Sequence, residues 1–220
     1  MPEDNEIEIP DFSPDEFDND KEVKKWRLAR EEAQKYFDNC IKTVTDALQA
    51  KKSSHKKLKG FELHKLVLEP YVYESFAGIA GNKSIYISII EYYTSTRTAR
   101  QTSADFDEYF VGVITLDRTY PHTIIQPETL ALKIHNLLIK TDIDFKHAKW
   151  FSFLFHVITK DDFRLKRSFE KIDLNRLKKF KSAEIELKDN QCYFRTGRKP
   201  VSFAEAKKFV ELANTIAEIF

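Results

Sequence analysis

The sequence has few cysteines and few glycines, and these shortages exclude several classes of protein. Only Cys40 and Cys192 occur, far apart and outside any C-x-x-C pattern, so neither a disulfide framework nor a zinc knuckle is predicted. The five glycines form no G-x-G-x-x-G or G-x-x-x-x-G-K loop, which argues against the common nucleotide-binding scaffolds. A G-x-S-x-G elbow is also missing, so an α/β-hydrolase nucleophile is not predicted.

Long apolar runs are missing as well. No stretch approaches the ~18 consecutive apolar residues of a membrane-spanning helix, and the first residues lack the basic region and apolar run of a signal peptide. The formal net charge is +1, so overall charge favours neither nucleic acid nor an acidic membrane surface. We therefore expect a cytoplasmic protein without a membrane span, and two isolated cysteines suit a reducing compartment.

Charge is unevenly distributed along the first 60 residues. Residues 3–20 contain nine acids and no Lys or Arg, so residues 1–20 are predicted to form an acidic, mobile lead. Residues 21–59 are predicted to form a long helix followed by a basic linker. Five lysines follow one another there without an intervening acid: Lys51, Lys52, Lys56, Lys57 and Lys59.

Residues 21–50 contain no Gly or Pro, and their apolar residues recur at the spacing of an amphipathic helix. The stripe either covers the body of its own domain or forms a short coiled-coil seam between two copies of the chain. Cys40 within it is interpreted as a packing residue rather than a nucleophile. The stripe also fits a seven-residue repeat, with Val23, Arg30, Phe37 and Val44 in one register and Trp26, Ala33, Cys40 and Ala47 in the other.

Residues 60–220 are predicted to form a single α+β domain, with antiparallel sheets flanked by helices. Strands are predicted at 61–68, 71–79, 84–93, 109–116 and 150–158, with a hairpin turn at Gly81-Asn82. The polar stretch 94–103 is predicted to be an exposed connection or the tip of a long hairpin. Two further strands, 183–187 and 191–195, form a predicted hairpin over Asp189-Asn190. Helices are predicted at 127–139, within 163–180, and from Ser202 to Phe220, where Ser202-x-x-Glu205 is a capping-box pattern.

A set of core and turn features runs through the segment from about Glu74 to Phe220: Gly78 to Gly81, Thr123 to Glu128, Asp142 to Phe145, Phe151-Ser152-x-x-Phe155-x-Val157, and Asp161 followed by Arg167 and Phe169. In these features the segment resembles an uncharacterised family of bacterial α+β domains of unknown function. The resemblance implies the α+β fold but no agreed activity. Membrane-spanning segments often precede the domain in such relatives, whereas this chain has a polar helix at that place.

The polar cluster that most suggests chemistry is Asp142-x-Asp144-x-x-His147. Carboxylates two residues apart point to the same side of an extended segment, and a histidine could complete a metal site. The alternative is that these acids cap or solvate a connection. Among the scattered histidines, His156 is predicted to be a partly buried strand residue, and His64 is a candidate general base beside Glu62.

These patterns favour a non-catalytic protein-interaction or regulatory module, because catalytic motifs are missing while a long amphipathic helix is present. The partner is expected to be a protein, including a second copy of the chain bound through residues 21–50, and no cofactor is expected. One alternative is a small-ligand domain, metal-binding domain or enzyme that uses a cleft near Asp142, Asp144, His147 and His156. Another is weak nucleic-acid binding through Lys51 to Lys59, supported by the basic stretch 164–181.

Overall fold

The computed structural model describes residues 21–54, 58, 60–65, 71–97, 102–128, 143–197 and 199–220. Side chains at 21, 22, 26, 92–97 and 102–107 are excepted. The acidic lead and nearly all of the helix predicted at 127–139 lie outside these residues.

The described chain has the predicted α+β class, with an antiparallel six-stranded sheet and helices around it. The helices are α1 Lys21–Ala47, α2 Glu62–Lys65, α3 Lys149–Leu154, α4 Asp162–Phe169, a 3₁₀ helix Leu174–Lys179 and α5 Phe203–Ile219. The strands are β1 Lys51–Lys52, β2 Tyr71–Ala80, β3 Lys83–Arg97, β4 Thr102–Pro127, β5 Phe155–Thr159 and β6 Glu184–Arg195.

Strands β1 to β4 lie side by side in chain order, and β4 pairs with both β5 and β6. Gly81 has a positive φ of 59° in the turn between β2 and β3, as predicted for Gly81-Asn82. Strands β3 and β4 remain paired as far as Arg97 and Thr102, which confirms a long hairpin at the polar stretch.

Strand β6 folds back on itself, as the predicted hairpin requires. Asp189 has a positive φ of 53°. The two ends of β6 touch, since Arg195 Nε donates to Glu184 Oε2 at 2.8 Å and Ser182 Oγ donates to the Thr196 carbonyl at 2.5 Å. A straight strand of this length would separate its ends by roughly 40 Å. Its two halves pair with different parts of β4, and the register breaks between Thr115 and Tyr120.

Alternating residues give the sheet two buried faces. One face of β4 carries Tyr109, Val111 and Val113, which join Tyr193 under the segment that contains Phe61 and α2. The opposite face carries Phe110, whose ring lies 5.4 Å from that of Phe209 on α5.

Gly112 explains how α5 approaches this second face. A Cβ atom on Gly112 would collide with the Phe194 ring, which itself stacks on Phe209 with centroids 5.2 Å apart. The helix begins where predicted, because the Ser202 side chain accepts a hydrogen bond from the Glu205 amide. The described core therefore has an aromatic layer between β4, β6 and α5.

The chain divides into two compact units, Met1–Asn39 and Cys40–Phe220. Helix α1 crosses this boundary. Its last turns belong to the second unit, where Cys40, Ile41, Val44 and Leu48 are buried. In the first unit Val23 and Phe37 are half-buried and Ala33 is exposed. Ala47 of the predicted stripe is also exposed, and Leu48 occupies the core instead.

Three predictions of local structure were wrong. Residues 62–65 form the helical turn α2 rather than a strand, because alternation over five residues does not separate a short helix from a strand. Residues 149–154 are helical, and only 155–159 form a strand. This segment is so aromatic that its helical period is hidden. Strand β4 extends beyond the predicted bounds 109–116 and passes through Pro121, where its ladder with β6 is irregular.

The first residues of the predicted basic linker form a strand. Lys51 and Lys52 pair with Ala77 and Phe76 as strand β1, and the Ser53 amide donates to the Ser75 carbonyl at 2.8 Å. Lys52 Nζ also donates to Glu74 at 2.6 Å. Lys56, Lys57 and Lys59 lie outside the described residues.

Candidate functional site

Two of the predicted site residues, Asp144 and His147, line one open cleft of about 640 Å³. Asp142 lies outside the described residues. His156 is placed elsewhere, buried on β5 with Nδ1 4.0 Å from Glu128 Oε2. The cleft residues come from the turn before α3 and from α4 with its C-terminal end: Asp144, Phe145, Lys146, His147, Phe163, Lys166, Arg167 and Glu170.

A second cleft of about 700 Å³ adjoins the first. Asp144, Phe145, Lys146 and Lys166 line both, so we treat the two as lobes of one surface and call it the α3–α4 cleft. The second lobe adds Lys149, Ser152 and Phe153. Each lobe has a volume within the range of roughly 300–1,000 Å³ that small-ligand pockets occupy.

Phe145 anchors the turn that carries Asp144 and His147. Its buried ring lies 5.8 Å from Phe151 and 5.4 Å from Phe169, between centroids. The Phe145 amide donates to Ser152 Oγ at 2.9 Å, and its carbonyl accepts from the Ala148 amide at 2.8 Å. The polar residues on either side of Phe145 are thus attached to a fixed aromatic base.

Helix α4 supplies the opposite wall because its sequence is amphipathic. Asp161 caps its N-terminus by accepting from the Arg164 amide at 2.9 Å. Leu165 and Phe169, four residues apart, are fully buried on its inner side. Lys166 and Phe163 are consequently exposed toward the cleft.

Two exposed aromatic side chains line the cleft, Phe163 in the first lobe and Phe153 in the second, and exposed Trp150 lies beside Phe153. Phe163 is 79% exposed, Trp150 62% and Phe153 59%. The rings of Trp150 and Phe153 meet edge to face with centroids 6.4 Å apart. Clustered exposed aromatic side chains are uncommon on a monomer and mark surfaces that bind something. We refer to these three residues as the aromatic rim.

Cations outnumber carboxylates in the cleft. Lys146, Lys149, Lys166 and Arg167 line it, against Asp144 and Glu170. Within the described residues, no group of three His, Cys, Asp or Glu side chains is arranged to hold a metal ion. Since Asp142 lies outside those residues, the proposed metal set of Asp142, Asp144 and His147 stays a prediction.

Sequence reasoning missed a buried polar cluster under α2. Arg195 is fully buried and donates to Glu184 through Nε and to the Tyr109 hydroxyl at 3.3 Å through Nη1. Glu186, also fully buried, accepts from the Leu63 amide at 2.8 Å and lies 2.9 Å from His122 Nε2. Polar residues that alternate with apolar ones along a strand predict a face exposed to solvent. The burial of Glu186 and Arg195 is therefore visible only once the position of α2 is known.

His64 belongs to the same region. Burial, reinforced by the Arg195 guanidinium, lowers the pKa of His64 below its usual value of 6.5. The prediction that Glu62 is the acid beside His64 was wrong. Residues two apart on a helical turn do not face each other, and Glu62 is exposed. Its ring instead lies 6.5 Å from that of Tyr193, between centroids.

Neither cysteine is arranged as a nucleophile. Both are buried, and no disulfide joins them. Burial, together with the charge of Glu186, raises the pKa of Cys192 well above its usual range. A thiol held in this way has little of the reactive thiolate form. The burial of Cys40 agrees with the packing role predicted for that residue from the sequence.

Comparison with known proteins supplies no relative for this chain. It matches no protein-family model, no curated protein and no solved structure. Among the helices that the structure describes, none combines the length and the apolar composition needed to cross a bilayer. The strand pairing and the helices of the fold place the chain in the α+β class with an antiparallel sheet.

Proposed function

We propose that this chain is a non-catalytic interaction module that binds another protein through the α3–α4 cleft and its aromatic rim. The observation that carries the proposal is the exposure of Trp150, Phe153 and Phe163 beside a formed cleft. Burying these rings against a partner would release about 25 cal/mol for each Å² of apolar surface removed from water.

The composition of the surface supports a protein partner. Aromatic residues and Arg are enriched at the centres of protein–protein interfaces, and a few such side chains carry most of the binding energy. Trp150 and Phe163 are of this kind, and Arg167 lies on the same wall as Phe163. Because α3 and α4 rest on buried Phe151 and Phe169, the surface is held in place before binding.

Self-association is the second part of this proposal. Leu28 and Tyr36 are exposed on α1, so residues 21–39 can offer apolar surface to another copy of the chain. Cys40 and Val44 of the predicted seam are buried in the Cys40–Phe220 unit. A seam between copies would therefore use the earlier turns of α1. We place the module in the cytoplasm, where buried cysteines stay reduced.

Binding of a small ligand or a metal ion in the cleft is the alternative function. It is favoured by the lobe volumes and by Asp144 and His147 lining one lobe. Nucleic-acid binding has less support, because Lys52 of the predicted basic patch pairs with Glu74. Arg176 of the second basic stretch likewise pairs with Glu218.

A peptide selection tests this docking surface even though the natural partner is unidentified. We expect random 12-residue peptides displayed on phage to yield clones that bind the full chain. These clones should lose most of their binding to a Trp150→Ser, Phe163→Ser double variant, because truncating a hot-spot residue of an interface costs about 2 kcal/mol or more. Phage enzyme-linked assays on the two proteins measure the difference.

The matched control is Tyr71→Ser, which removes a comparably exposed aromatic residue from β2, outside the cleft. Binding to this control should remain unchanged. If the selected peptides bind the double variant as tightly as they bind the original chain, the cleft is not the docking surface.

A further inference from the structure

Resting on that proposed function, we infer that the partner segment of the α3–α4 cleft is an acidic peptide that carries an aromatic or aliphatic anchor. The cleft combines a local excess of positive charge with exposed aromatic rings. A peptide with carboxylates on either side of one apolar side chain complements both features at once.

The positive charge comes from both walls of the cleft. Lys146 precedes α3, and Lys166 lies on α4, and both line the two lobes. Arg167 and Lys149 extend this charge into one lobe each. An extended acidic segment that crosses from one lobe to the other would pass all four cations.

These four cations form no ion pair among the residues that the structure describes. Cations elsewhere in the unit do find carboxylates, as Lys83 does with Asp117 and Arg176 with Glu218. Charges of one sign that converge on a cleft raise the local concentration of a ligand of opposite sign and accelerate its association.

The anchor site follows from the aromatic residues. Phe145 forms the base of both lobes, and Phe163 stands exposed at the side of the first. Phe153 lines the second lobe next to Trp150. A Phe, Leu or Ile side chain of the partner would contact Phe145 and the exposed ring of one lobe while its acidic neighbours reach Lys146 and Lys166.

The two carboxylates favour a peptide over a nucleic acid. Asp144 lines both lobes and Glu170 lines the first. A phosphate backbone carries one charge at every nucleotide and would meet both carboxylates, and tight binding of it depends on many cations in succession. A peptide can place its acids beside the lysines and an uncharged residue beside Asp144.

Trp150 provides a spectroscopic probe for the test. The chain contains two tryptophans, so the full chain with Trp26→Phe reports on Trp150 alone. The ligand is a 12-residue peptide with acids on both sides of a central Phe-Leu pair. Its twin has Gln and Asn in place of Glu and Asp. We expect the acidic peptide to change Trp150 emission saturably, with an affinity about tenfold above that of the twin and lower in high salt.

Charge-reversal variants test whether the cations of the cleft bind the acidic peptide. Lys166→Glu combined with Arg167→Glu should weaken binding of the acidic peptide about tenfold or more, and leave the amide twin nearly unchanged. Lys181→Glu is the matched control, because it removes an exposed cation outside the cleft and should have little effect.

The outcomes separate this inference from the proposed function. Equal affinity for the acidic peptide and its twin would overturn the acidic partner, while cleft-dependent clones from the selection would still support docking. No response to either peptide, without cleft-dependent clones, would overturn both. If polyuridylate displaces the acidic peptide and binds more tightly, the cleft is a polyanion site and the inference is wrong.

Discussion

A chain that begins at Lys51 should fail to fold, whereas a chain that begins at Cys40 should fold cooperatively. The first deletion removes four buried side chains of the second unit, which are Cys40, Ile41, Val44 and Leu48. It also removes the Leu48 carbonyl that accepts from the Ile79 amide at 2.8 Å. Thermal denaturation followed by circular dichroism checks both chains.

The expected loss in the free energy of unfolding follows from the surface that the deleted side chains bury. Each fully buried Val, Leu or Ile side chain contributes roughly 1.5–3 kcal/mol, so losing three of them and a cysteine costs about 5–10 kcal/mol. That cost approaches the whole free energy of unfolding of a typical domain, about 5–15 kcal/mol. The backbone at Leu48 packs closely against strand β2, because a Cβ atom on Gly78 would lie 2.5 Å from the Leu48 carbonyl oxygen.

Two leucines near α1 give a matched pair of point variants for the same claim. Leu48→Ala should lower the free energy of unfolding by about 2–5 kcal/mol, since Leu48 is fully buried. Leu28→Ala should change it by less than about 0.5 kcal/mol, since Leu28 is 61% exposed. Equal effects of the two variants, or a stable chain from Lys51 onward, would contradict the boundary at Cys40.

Arg195→Met should destabilise the protein by about 3 kcal/mol. The guanidinium is fully buried and donates to Glu184 at 2.8 Å, and its loss leaves a largely buried carboxylate without its cation. Breaking a buried ion pair by removing one partner typically costs about 3–5 kcal/mol. Urea denaturation measures the change in the free energy of unfolding.

Arg176→Met is the control for this prediction. Arg176 pairs with Glu218, but both side chains are about half exposed, so the loss should stay below about 1 kcal/mol. A double variant, Arg195→Met with Glu184→Leu, should recover part of the stability because no buried charge is left unpaired. A loss at Arg195 no larger than that at Arg176 would show that this pair is not part of the buried framework.

The sequence predicted the class of fold because local signals there agreed with the tertiary structure. The turn at Gly81, the hairpin at Asp189 and the cap at Ser202 each depend on the chemistry of one or two residues. Residues 149–159 gave no such signal. Trp150, Phe151, Phe153 and Phe155 are all apolar, so neither a helical nor a strand period stood out.

The candidate site was only partly predictable for a related reason. Asp144 and His147 attracted attention as polar residues close together in sequence, and both line the cleft. Lys166 and Phe163 belong to another element, and only the packing of α4 beside the turn at Phe145 brings them there. The exposure of Trp150 was equally hidden, because the aromatic residues beside it include both the buried Phe151 and the exposed Phe153.

The central claim is that the α3–α4 cleft is the docking surface of this chain. Hydrogen–deuterium exchange of the full chain, with and without a selected peptide, tests it most directly. We predict slower exchange in the complex for amides of residues 144–153 and 162–170, with residues 21–39 unchanged. Protection confined to residues 21–39, with exchange at α3 and α4 unaltered, would contradict the claim and transfer the docking role to α1.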